Sequence, residues 1–112
     1  MAQPHAKPGE IVDLRPLGRR LADTKTTALI KTEHFEAIRL VVRADTEIPP
    51  HEVAGNMMLH CLEGHILLSL ARSSVELSAG DWLYLEGGEI HALKGVKDSS
   101  LLLTILFDKQ AI

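Results

Sequence analysis

At 112 residues, with 46% hydrophobic and 24% charged side chains, the chain has the composition of a globular domain with one hydrophobic core, not of a disordered tail. A formal net charge of −3, with the 12 Lys and Arg scattered, offers no basic stripe for a phosphate backbone, and four aromatics leave little for base stacking; nucleic acid is disfavoured as a partner. The single cysteine, Cys61, cannot close an intramolecular disulfide, residues 1–9 lack the apolar core of a signal peptide, and no run approaches the ~20 apolar residues of a membrane span, so a cytoplasmic protein without a membrane partner is expected.

Residues 1–10, with Pro4, Pro8 and Gly9, read as a loose arm on a single domain spanning 1–112. Residues 11–17 predict a short edge strand, since Pro16 bars a central position. Beyond Gly18 the apolar spacing supports one helical turn at most, over 17–22. Strand signals then dominate. Residues 26–32 are rich in β-branched side chains, and 34–42 alternate in part, with Ile38, Leu40 and Val42 on one face and Phe35, Ala37 and Arg39 on the other. Ile48-Pro49-Pro50 predicts a break, because proline donates nothing to a strand ladder. Two apolar runs, 57–62 and 65–71, flank Glu63-Gly64, a tight turn or bulge. Short strands follow at 75–77, 82–85, 90–94 and 100–107, the last apolar on both faces. About eight short strands with Gly/Pro turns predict an all-β sandwich or barrel.

Two stretches carry a family resemblance. Residues 80–91, Gly80-Asp81-Trp82-Leu83-Tyr84-Leu85-Glu86-Gly87-Gly88-Glu89-Ile90-His91, resemble the second motif of the cupins, G-x5-P-x-G-x2-H-x3-N. Gly80, Gly88 and His91 fall in register, with Glu86 at the Pro position and Gly95 at the Asn position. Residues 51–64 resemble the first motif, G-x5-H-x-H-x3,4-E-x6-G. His51 and Gly64 hold the outer places, Val53 stands for the second His, Met57 for the Glu, and Glu47 or a neighbour for the leading Gly. The chain thus resembles a small single-domain, RmlC-like cupin over roughly residues 25–107. The resemblance implies a double-stranded β-helix, the jelly-roll barrel.

It also implies a metal held inside the barrel by three His and a Glu. The four corresponding positions here are His51, Val53, Met57 and His91, so two imidazoles remain. Iron, manganese, nickel, copper or zinc at His51 and His91 alone would be held weakly, since such ions usually want three protein ligands. Strand parity adds Cys61 to the inward set with 53, 57 and 59; a bulge would instead turn Glu52 and His60 inward. His51, Met57, Cys61 and His91 would together suit copper or zinc, although buried Cys and Met also serve as plain core residues. Without metal, two imidazoles in an apolar barrel bind a small hydroxylated or anionic ligand, or act as acid and base. The expected pocket is therefore His51, Val53, Met57, Cys61 and His91, with Leu59, Leu83, Leu85 and Leu93 as apolar lining.

His60 and His65 read as surface or dimer contacts, His5 as solvated, and His34 as facing either pocket or solvent. Trp82 and Tyr84, at i and i+2, read as packing on one strand face, and Glu86 and Glu89 as loop carboxylates at the barrel mouth. Three functions stay open: a small-molecule-binding cupin, a metal-dependent enzyme of the dioxygenase, isomerase or decarboxylase type, and a structural homodimer. Apolar strands point to a homodimer in each case.

Overall fold

The computed structural model describes residues 5–51 and 54–107. Nine strands occur among them: β1 Thr27–Lys31, β2 Phe35–Val42, β3 Glu47–His51, β4 Met57–Glu63, β5 His65–Leu70, β6 Ser74–Ser78, β7 Trp82–Leu85, β8 His91–Gly95 and β9 Ser99–Leu106. They form two antiparallel sheets, a larger one ordered β1-β2-β9-β4-β7 and a smaller one ordered β3-β8-β5-β6. This is the expected all-β jelly-roll architecture. Between the sheets, Val42, Met57, Leu59, Cys61, Leu85 and Leu101 meet Ile66, Leu68, Leu77 and Leu93. β4 shows the cause: every second residue, Met57, Leu59 and Cys61, is buried, as a pleated strand with one covered face requires. Removing one such Leu or Ile side chain from water contributes about 1.5–3 kcal/mol. Among the described residues no helix is long and apolar enough to cross a membrane.

Three expectations need correction. Residues 11–17 form no strand; side chains of the larger sheet hold this segment instead. The Arg39 guanidinium donates to the carbonyls of Asp13 (3.2 Å) and Arg15 (2.6 Å), and the Glu63 carboxylate accepts the N–H groups of Leu17 (2.9 Å) and Gly18 (3.1 Å). The helical turn expected over 17–22 is a 3₁₀ helix at Gly18–Asp23 that buries Leu21. The break at Ile48-Pro49-Pro50 is a strand after all.

That strand matters most for the site. β3 is the edge of the smaller sheet, where residues lacking an N–H are tolerated. Ile48 pairs with Leu93 and His51 with His91, so three steps on β3 match two on β8. The Pro-Pro pair is accommodated by a bulge, and the extra residue brings His51, not Pro50, opposite His91. Just upstream, Asp45 has φ 61°, a left-handed conformation that Asp tolerates better than most residues. Asp45 lies six positions before His51, so it, rather than Glu47, occupies the leading-glycine place of the first motif.

A second bulge on β4 sets Cys61 opposite Leu101 but Glu63 opposite Ser100. This offset puts the Glu63 carboxylate on the outer face, where it accepts a hydrogen bond from the Ser100 hydroxyl.

Candidate functional site

β3 ends, β4 begins, β7 ends and β8 begins at one end of the barrel, and this end holds the candidate site. A cavity of about 100 Å³ lies there between the sheets, lined by Leu40, Ile48, Met57, Leu59, Leu93, Leu103 and His91. Its walls are hydrocarbon and one thioether, with His91 as the nitrogen donor among the described lining residues. Liquid water takes up about 30 Å³ per molecule, so the space admits roughly three waters, or the end of a larger ligand. Two larger grooves, of about 420 and 370 Å³, run beside residues 5–12 along β1, the first with His5, Lys7, Glu10 and Thr27 in its lining.

His91 is 2% exposed. Its Nδ1 lies 3.0 Å from the carbonyl oxygen of Glu89. A carbonyl can only accept, so Nδ1 carries the proton, and in the neutral ring the lone pair sits on Nε2. The ring is thereby oriented by backbone two residues upstream.

That backbone is itself shaped by a turn. The Glu89 N–H donates to the Glu86 carbonyl at 3.3 Å, closing the turn between β7 and β8. Gly88 takes φ 87° at its third position, the conformation that a type II turn reserves for glycine. At Gly87 a Cβ would stand 1.9 Å from the Ala54 carbonyl oxygen, so the β3–β4 and β7–β8 loops touch backbone to backbone.

Of the other residues singled out by sequence, His51 is placed opposite His91 by the strand register, while Val53 and Glu52 lie outside the described residues. Met57 is buried and lines the cavity. Cys61 is buried too but does not line it. It lies four residues further along β4, roughly 13 Å at the usual strand rise, and its thiol faces the Glu63 carbonyl at 3.5 Å. Burial pushes the Cys61 thiol up, with the Glu63 carbonyl contact only partly offsetting it. Leu59 and Leu93 line the cavity as expected, whereas Leu83 and Leu85 do not.

His34 faces solvent, and His65 pairs with Glu76 at 2.6 Å on the outer face of the smaller sheet. Trp82 and Tyr84 do not pack as expected; they are 57% and 58% exposed on edge strand β7, with ring centroids 6.4 Å apart. Sequence reading missed Ile48, hidden behind an expected break, and Leu40 and Leu103, whose alternation was visible but whose convergence was not.

Among the described residues no three His, Cys, Asp or Glu side chains converge to hold a metal ion. Among the described residues, Met57 at the carboxylate position and the hydrocarbon around it do not fit a hard divalent cation, which prefers nitrogen and oxygen ligands.

No protein-family model matches the sequence, and no curated protein matches it. Solved structures do. A conserved protein of unknown function from Streptococcus pyogenes superposes with a TM-score of 0.74 at 17% identity, over 95% of this chain and 94% of that one. A cupin superfamily protein from Desulfitobacterium hafniense gives 0.73 at 17% identity, over 88% and 99%. An RmlC-like cupin from Shewanella frigidimarina gives 0.69 at 15% identity, over 76% and 77%. The likeness is one of fold: the chain has the cupin fold.

Proposed function

We propose that this protein binds a small molecule at the mouth of its barrel through His51 and His91, with little or no help from metal. The observation that carries this reading is His91 itself, a buried imidazole in the lining of an otherwise apolar cavity, with its Nδ1 3.0 Å from the Glu89 carbonyl oxygen. A few polar groups in otherwise apolar walls fix the orientation of a ligand, so the imidazole favours a ligand with a polar end. In the neutral ring Nε2 is an acceptor, which suits a ligand hydroxyl or another N–H or O–H donor. An anion is favoured only once the ring is protonated. Given the small cavity, the ligand inserts one end, with the rest lying toward the loops of Asn56 and Glu86–Glu89.

The cupin fold of the structural relatives supports a pocket in this position, and Met57 at the carboxylate place supports weak metal binding. We further propose a homodimer, supported by the exposed aromatic pair Trp82 and Tyr84 on an edge strand.

The test is titration of the labelled protein with small alcohols, sugars and carboxylates, and separately with Zn²⁺ and Ni²⁺ alone, following the histidine side-chain signals. Organic hydroxyl compounds are expected to shift His91, and the response is expected to vanish in His91→Ala. Elemental analysis should find substoichiometric metal. A full equivalent of metal that disappears in His51→Ala would overturn the reading in favour of a metal-dependent enzyme.

A further inference from the structure

We infer that Asn56 is a positioning residue for His91, acting through the turn between β7 and β8; the inference rests on His91 being the ligand-contacting group proposed above. Asn56 stands immediately before β4, and its backbone carbonyl accepts the Leu106 N–H of β9 at 2.8 Å, which ties it to the larger sheet. From that base its side-chain Oδ1 accepts the Gly87 N–H at 2.9 Å. The amide orientation is unambiguous, because a backbone N–H can only donate. Gly87 is the second residue of the Glu86–Glu89 turn, and its contact with the Ala54 carbonyl leaves no room for the turn to settle further inward. The carbonyl at the end of that turn, on Glu89, is the one that accepts from His91 Nδ1. A continuous series of contacts therefore runs from the larger sheet, through the Asn56 amide and the Gly87 N–H, to the imidazole ring on the smaller sheet.

The consequence is chemical. If the turn drifts, the Glu89 carbonyl leaves Nδ1, and the Nδ1–H tautomer of the neutral ring loses the support of that contact. Asn56 thus supports the orientation and the Nδ1–H tautomer of the ring through the turn.

The experiment is long-range proton–nitrogen NMR of the imidazole side chains in the full chain, with the His91 signals identified by their loss in His91→Ala. The unsubstituted protein should hold His91 mainly as the Nδ1–H tautomer. Asn56→Ala should lower the Nδ1–H to Nε2–H ratio by roughly two- to tenfold, the worth of one net hydrogen bond. Asn56→Asp keeps an acceptor at the same atom and should restore most of the ratio. Gly87→Ala, which forces the turn away from Ala54, should move the ratio in the same direction as Asn56→Ala. An unchanged ratio in a folded Asn56→Ala protein overturns the inference. A ratio that moves as expected while His91→Ala leaves alcohol and sugar binding intact would sink the functional reading instead, so the two failures are distinguishable.

Discussion

Arg39 and Glu63 lie 3.8 Å apart on the outer face of the larger sheet, their side chains only 9% and 15% exposed, yet both reach the backbone of residues 13–18 with two hydrogen bonds each. The pair is therefore a two-pronged clamp more than a salt bridge. Arg39 satisfies two carbonyls and Glu63 two N–H groups, in a segment without a strand partner of its own. Arg39 Nε is buried without a hydrogen-bond partner among the described residues, which sets the clamp's remaining cost. On Glu63, burial pushes the carboxyl pKa upward. The Leu17 N–H, Ser100 hydroxyl, Gly18 N–H and Arg39 guanidinium together outweigh it and hold the group below the usual glutamate range.

Glu63→Gln is expected to destabilise the protein by roughly 1–3 kcal/mol at neutral pH, through loss of charge-assisted bonds. Because the folded-state pKa is depressed, the stabilisation is fully present above the ordinary glutamate pKa and is lost as pH falls through the folded value. Denaturant melts at neutral and acid pH check this: the gap between the two proteins should narrow on acidification. A gap independent of pH would show that the carboxylate charge is not what holds residues 17 and 18.

Cys61 should behave as an inert core thiol. Its burial raises the pKa and denies access to reagents, so the thiolate that alkylation requires is scarce. Iodoacetamide labelling followed by mass is expected to be slow in the native protein and complete in denaturant. Rapid native labelling would mean that the far end of the barrel opens.

Met57→Ala should cost about 2–5 kcal/mol, since a buried Met side chain leaves a void that the sheets fill only in part. Thermal unfolding checks the magnitude. The substitution also widens the cavity beside His91, so the variant should accept larger hydroxylated compounds in the NMR titration. A loss below 1 kcal/mol would indicate that the barrel collapses around the site.

Trp82 is the one tryptophan of the chain, so its fluorescence reports edge strand β7 alone. At micromolar concentration light scattering should give a dimer mass, and the emission should shift to longer wavelength on dilution as Trp82 returns to water. Replacing both Trp82 and Tyr84 with Ser should yield a monomer. A monomer mass for the unsubstituted chain would rule out the dimer.

Local pattern alone accounts for most of the strands. Alternation at Met57, Leu59 and Cys61, β-branched residues after Thr26, and glycines at 64, 80, 87 and 88 mark where the chain extends and where it turns, because these are constraints of a few neighbouring residues. The spacing from Gly80 to His91 also pointed to the cupin fold, and His91 to the barrel interior. Ile48-Pro49-Pro50 misled for a physical reason: proline forbids a ladder donor everywhere except at an edge or a bulge, and β3 is both. Residues 11–17 misled in the opposite way. Their extended character is local, but their order depends on Arg39 and Glu63, distant in sequence.

What the sequence by itself determined, then, is the set of strands, the turns between them and a histidine at the start of β8. Tertiary structure alone decided which side chains share its cavity and which way its ring is held. Strand pairing chooses register, and two single-residue bulges reset which residues stand opposite each other, bringing His51 opposite His91 and setting Glu63 against Ser100 on the outer face. Side-chain periodicity of two carries no record of such a shift, because the energy that pays for it comes from the partner strand.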